Sequence, residues 1–174
     1  ELKKLDPGFK IVFDNADMIL PANWNEICDL FDRHEENGAK KLNKFMEDAE
    51  KKYSIGLRFL YNSPGLSVTE LLKKDVLLNA NKLQLLTSYR KHIKRHFTDP
   101  RLISLLEFPV LFLGTSAESA PALYSLMAYS GIKQGTFYPM GGFAKVIDGM
   151  AEVCKNNGVK FLLEEQVTKI NISN

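Results

Sequence analysis

The sequence predicts a mostly α fold with a small β component (α+β), in which short strands flank a helical block. Three observations predict it. Near the start, apolar and polar residues alternate in FKIVF (9–13), and MILP (18–21) lies across a turn from it. Between Asn23 and Gly131 the apolar residues recur at helical spacing instead, behind cap-forming residues. After Gly158, VKFLLEEQVTKINI (159–172) reads as extended chain, with room for two short strands.

Phe9, Ile11 and Phe13 share one side of the first strand, and DNAD (14–17) supplies turn chemistry, so residues 9–21 read as a short hairpin. Asn23, three residues before Glu26, opens a helix carrying Trp24, Ile27, Cys28 and Phe31 on one face. After ENG the pattern resumes with Leu42, Phe45, Met46, Ala49 and Tyr53. NSPG (62–65) is a loop, and Ser67 with Glu70 forms a second capping box ahead of one bent helix or two helices reaching Phe97. Asp99 before Pro100 restarts a helix, because an acid caps well and proline suits the first turn. Pro109 and Gly114 interrupt the next segment, and SAPALYSLMAYSG (119–131) reads as a helix ending at Gly131. Phe143, Val146, Ile147, Met150, Val153 and Cys154 mark a last amphipathic helix, closed by Asn157 and Gly158.

The bulk properties exclude more than they assign. A chain of 174 residues with 45% apolar content can bury one domain's core. A net charge of +2 gives no overall pull toward nucleic acid or membrane. Cys28 and Cys154 lie far apart among apolar helical positions and read as reduced core thiols. The greasiest run, LLEFPVLFLG (105–114), is far short of a membrane span. No signal peptide or initiator methionine is visible, and both ends read as cuts inside a longer protein.

Candidate chemistry is sparse. YRKHIKRH (89–96) puts Tyr89, Ile93 and Phe97 on one helix face and Arg90, Lys91, Lys94 and Arg95 elsewhere. These cations could contact phosphates on anionic lipid or nucleic acid, but the near-neutral chain favours a solvated face. His92 and His96 share a face, yet no nearby acid or cysteine completes a site, so no metal is expected. GTSAES (114–119) is not a nucleophile elbow. The pairs Glu35–Glu36 and Glu164–Glu165 read as surface charge. In GTFYPMGGFAKVIDGM (135–150) the Gly141–Gly142 pair matches neither a P-loop nor a full dinucleotide fingerprint. It leaves a side-chain-free turn at a helix start, suited equally to a structural role and to a cofactor-facing one.

Residues 105–170 resemble the carotenoid desaturases (phytoene dehydrogenases). A Phe- and Leu-rich helix ending in glycine leads to PALYSLM, then YPMGG, a helix of x-x-I-x-x-G-M type, and a G-V-x-F…V-x-x-I stretch. LDPGFKIVF (5–13) and KFMEDAEKKYSIGLRFLYN (44–62) extend the resemblance over nearly the whole chain, more loosely in its middle.

The resemblance implies an FAD-dependent flavoprotein of amine-oxidase-like type, with a helical substrate domain set into a Rossmann-like flavin domain. This chain would be the substrate domain of that two-domain enzyme. Residues 1–21 would form the entering hairpin, 22–134 the helical substrate-binding region, and 135–174 a seam, helix and strands returning to the absent FAD domain. Gly141, Gly142 and Val167 match positions near FAD in the family, while the fragment alone is expected to hold no cofactor and to be inactive. An apolar polyene would need a tunnel, for which Phe108, Leu111, Phe112, Tyr124, Met127 and Tyr138 are candidates, with Leu113, Leu126 and Tyr129 beside them. No catalytic residue can be named. The expected setting is cytoplasmic and peripherally membrane-associated, through the 90–95 face, with no nucleic acid bound. Related reactions, namely polyene saturation, isomerisation or oxidation, fit the same residues. A helical module that binds anionic membrane or nucleic acid through 90–95 is the rival from another class.

Overall fold

The computed structural model describes residues 1–62 and 83–172, which divide into two units, Lys4–Phe137 and Glu1–Lys3 with Tyr138–Asn174. Of the expected loop at 62–65, Asn62 is still helical; the rest of it, the Ser67–Glu70 capping box and the start of the helical run behind it lie outside the described residues. Among the described residues the architecture is mostly helical with two small two-stranded sheets.

In the Lys4–Phe137 unit the expected hairpin forms. Strand β2 (Phe9–Val12) pairs antiparallel with β3 (Asp17–Leu20), with Phe9 opposite Leu20 and Ile11 opposite Met18. Met18 and Leu20 enter the core while Asp17 and Ile19 stay outside, as the period of two requires. Helix α1 (Trp24–His34) begins where the Asn23 side chain accepts from the Asn25 and Glu26 amides. It buries Ile27, Leu30 and Phe31. A tight reversal through Asn37, at φ 55°, leads into α2 (Gly38–Asn62), which buries Leu42, Phe45, Met46 and Ala49.

Glu35, expected on the surface, is largely buried at this reversal. Its carboxylate takes Lys41 at 2.6 Å and accepts from the Thr98 and Asp99 amides. Burial works against that charge, but these partners outweigh it and hold the carboxyl below its ordinary range. One side chain thus fastens the α1–α2 turn to the start of a later helix.

Helix α3 (Tyr89–Ile93) is a short turn capped by Ser88, and it sends Tyr89, Ile93 and, beyond its end, Phe97 into the core. Phe97 packs edge-on against Phe31 and Phe45. Asp99 caps α4 (Pro100–Glu107), whose Leu102, Leu105 and Leu106 are fully buried. The Tyr89 hydroxyl donates to the Leu106 carbonyl at 2.7 Å, joining α3 to α4 inside the core. Pro109 and Gly114 do interrupt the chain: Phe108–Leu113 tightens into a 3-10 turn that Gly114 ends at φ 67°.

The expected single helix over 119–131 is corrected. The segment splits into a 3-10 turn (Ala122–Tyr124), α5 (Ser125–Ala128) and a wide π turn (Tyr129–Gln134). It starts late because the Ala122 amide is taken by the Thr87 carbonyl at 2.7 Å. It ends late because Gly131 is not left-handed, and the terminating glycine is Gly135 at φ 103°.

In the other unit, β1 (Leu2–Lys4) pairs with β4 (Phe137–Pro139), and the Met140 amide donates to the Glu1 carbonyl. Helix α6 (Ala144–Asn156) comes next, with Gly158 at φ 82° just past its end. No side chain on α6 is buried. The strands expected within 159–172 are absent. Extended chain becomes a strand only by pairing with another, and these residues pair with none of the described strands.

Candidate functional site

The double-glycine turn is built by backbone, not side chains. Gly141 and Gly142 stand at φ 85° and 89°, where an L side chain is strained. The Gly142 amide donates back to the Pro139 carbonyl at 2.9 Å, and its carbonyl accepts from Lys145 in the first turn of α6. A Cβ at Gly141 would press on the Lys145 side chain, whereas one at Gly142 would only touch the Tyr138 hydroxyl. Tyr138 meets Phe143 edge-on at 6.0 Å. The result is a bare turn with two rings beside it at a helix start. From that helix Val146, Ile147, Met150 and Val153 point outward, all exposed. Val167 is exposed as well.

The tunnel candidates of the Lys4–Phe137 unit divide into two sets. Phe108 is half-buried, with its ring 5.0 Å from Phe9 and 5.3 Å from Phe112. Tyr124 and Met127 are half-buried on and beside α5. Near them Leu126 packs at Gly56, and Tyr129 meets the Tyr53 ring at a tilt of 47° while donating to Glu50 at 2.8 Å. Leu126 and Tyr129 thus lie against the later half of α2. Leu111 and Phe112 are exposed, which removes them from any enclosed channel in this unit. Tyr138 belongs to the other unit. The surface depression lined by Ile19, Pro21, Glu26, Asp29 and Arg33 contains none of the tunnel candidates.

Sequence reasoning missed a buried polar cluster. Lys52 is fully buried, and its ammonium donates to Asp48 Oδ2 at 2.6 Å, Ser125 Oγ at 3.3 Å and Gln84 Oε1 at 3.4 Å. His92 is also buried. Its Nε2 lies 3.2 Å from the same Asp48 oxygen but out of line for a hydrogen bond, and its Nδ1 has no partner among the described residues. Burial works against the Asp48 charge, yet His92 and Lys52 bring its pKa down to about 2. Burial lowers the pKa of Lys52 despite Asp48, and lowers that of His96, which the neighbouring His92 lowers further. The only advance signals were the four-residue spacings of Asp48 with Lys52 and of His92 with His96. Among the described residues no group of three His, Cys, Asp or Glu side chains is placed to hold a metal.

The basic stretch is also redistributed. Arg90 grips Glu107 with two nitrogens, at 2.6 and 2.7 Å, and reaches Glu118 at 2.6 Å. It is a clamp between α3 and the end of α4, not a free cation. Lys91, Lys94 and Arg95 are exposed, the latter two beyond the end of α3, so no continuous helical stripe exists.

Comparison with known proteins adds the family. Residues 11–174 match the model of the flavin containing amine oxidoreductases. The chain is 27% identical over 174 residues to a carotenoid 3,4-desaturase of Haloarcula japonica, covering 98% of this chain and 35% of that protein. It is 26% identical over 174 residues to a phytoene desaturase of Fusarium fujikuroi, covering 99% and 30%. It is 24% identical over 173 residues to a 4,4'-diapophytoene desaturase (4,4'-diaponeurosporene-forming) of Staphylococcus aureus strain Newman, covering 99% and 34%. The chain therefore spans about a third of the length of the curated relatives it matches.

Proposed function

The chain belongs to the flavin containing amine oxidoreductase family, and from that premise we propose that it is the substrate-binding part of an FAD-dependent carotenoid desaturase. The observation that carries this reading is the similarity to desaturases, which runs the length of the chain. The substrate class is a long apolar polyene, phytoene or a partly desaturated relative. Residues 1–21 enter the domain, 22–134 hold the substrate, and 135–174 lead back to the flavin domain.

In this reading FAD, when bound, would supply the acceptor for a hydride from a saturated carbon pair, the second hydrogen leaving as a proton. The chain's own residues align the polyene and exclude water. Phe108, Tyr124 and Met127 are half-buried apolar groups that suit contact with an apolar chain. Gly141 and Gly142 present bare backbone at a helix start, which suits close approach of a cofactor or of another strand. Tyr138 and Val167 complete the surface offered to the flavin domain. A substrate of this kind resides in lipid, so peripheral membrane contact belongs to the proposal. Among the described residues no helix is long and apolar enough to cross a membrane.

The test is expression of the full-length gene in cells that accumulate phytoene, with pigment extraction and a visible spectrum. Absorption moved to longer wavelength is the expected result. An unchanged spectrum from cells whose purified enzyme carries flavin overturns the desaturase reading and leaves the saturase, isomerase and oxidase relatives.

A further inference from the structure

The 3-10 turn Phe108–Leu113 changes character along its length. In its first turn Pro109 and Val110 are buried, and Phe108 packs on Phe9. In its second, Leu111, Phe112 and Leu113 are 63%, 74% and 43% exposed. A 3-10 helix has three residues per turn, so three consecutive side chains point about 120° apart. Gly114 then reverses the chain at φ 67°, with nothing within 4 Å of the place a Cβ would take. The turn ends in a tip whose three exposed apolar side chains are spaced around its axis, Phe112 meeting Phe108 edge-on.

That arrangement discriminates between partners. A protein groove or a flat protein face covers one side of a turn and leaves the others wet. A ring of apolar groups is served by a medium that surrounds it, and the acyl region of a bilayer is such a medium. The charges agree. Glu107, at the base of the tip, and Glu118 beyond it share the one cation of Arg90, so a single net negative charge there faces the three cations that follow. Lys91 is next to Arg90 in the chain and Lys94 lies one helical turn on; with Arg95 they are exposed and have no ion pair among the described residues. The Arg90–Glu107 clamp ties this basic segment to the start of the tip.

We infer that Leu111, Phe112 and Leu113 insert into an anionic lipid bilayer, with Lys91, Lys94 and Arg95 drawn to its headgroups. The inference deepens the desaturase reading and rests on it for the reason a bilayer is visited, to reach an apolar polyene. The geometry of the tip carries it.

The experiment is flotation of the purified full-length protein with vesicles of phosphatidylcholine, alone or mixed with phosphatidylglycerol. Replacing Leu111, Phe112 and Leu113 together by Ser should weaken partitioning roughly tenfold or more on both vesicle types. Replacing Lys91, Lys94 and Arg95 by Ser should weaken it several-fold on the mixed vesicles only, at low salt. Circular dichroism checks that each variant is folded. A Phe112→Cys protein carrying a polarity-sensitive fluorophore should shift to the blue when vesicles are added. Unchanged flotation of the apolar variant overturns the inference. So does a fluorophore already blue-shifted before vesicles are added, because protein then covers the tip. No polyene is present in these assays, so their failure leaves the desaturase reading standing, and an unchanged pigment spectrum leaves vesicle binding standing.

Discussion

Lys52 sits fully buried between Asp48, Ser125 and Gln84, and its neighbourhood sets the clearest pH dependence in the molecule. The two partners feel the pairing differently. Asp48 is held down to about 2, whereas Lys52 falls below its ordinary value because burial outweighs the attraction. The pair therefore fixes geometry more than it adds net stability. Asp48→Ala strands the ammonium and should cost about 2–3 kcal/mol in urea unfolding, at the low end because Asp48 is partly open to water. Lys52→Met removes the buried charge and should cost less than half of that; the reverse ranking would mean the charge is not confined. The acid limb is fixed by the signs. A carboxyl with a depressed folded pKa gives stability that is complete above about 4 and is lost as pH falls toward 2, at most about 2 kcal/mol here. His96 acts earlier. Folding disfavours its protonated form, so stability declines as pH drops below about 6.5, and His96→Gln should flatten that first decline in a pH series of melts.

Helix boundaries separate what residue spacing can show from what it cannot. The Asn23 and Asp99 caps, the β2–β3 hairpin and the Gly114 break were all legible, because each depends on residues within a few positions of one another. The split of 119–134 was not, because the Thr87 carbonyl far back in the chain takes the amide that would have opened the helix. Glu35 was misread for the same reason, since its partners Thr98 and Asp99 are distant in sequence. Arg90 was placed among free cations, although Glu107 and Glu118 hold it. Two glycines turn this distinction into a test. Gly38 opens α2 so close under α1 that a Cβ would overlap the Phe31 carbonyl, backbone that cannot step aside. Gly38→Ala should lose roughly 2–4 kcal/mol in chemical unfolding. Gly131, in the π turn, has nothing within 4 Å of its Cβ position, and Gly131→Ala should be neutral or gain up to about 1 kcal/mol. Equal losses at both sites would contradict so close an α1–α2 contact.

The two units of the chain owe their structure to different sources. Lys4–Phe137 has an aromatic and leucine core running from Phe31 and Phe45 to Tyr89, Phe97, Leu102, Leu105 and Leu106. Helix α6, in the other unit, has a clear apolar stripe and buries none of it. Its helical period and its Asn157–Gly158 end were legible because both are local. The strands expected after it were not formed, because a strand is a property of two segments. A helix of 13 residues with no covered face is marginal in water, since nucleation is costly and only packing repays it. Native-state hydrogen exchange should therefore separate the units in the 174-residue chain. Amides of 144–156 should exchange within about tenfold of unprotected rates, while those of Ile93, Leu105 and Leu106 should be slowed by several orders of magnitude. In the proposed full-length flavoprotein the same α6 amides should gain at least a hundredfold protection as their apolar stripe is covered. Protection of α6 already equal to that of the core, in the 174-residue chain, would mean that the stripe is covered without any further domain, and the assignment of 135–174 as a seam would fall.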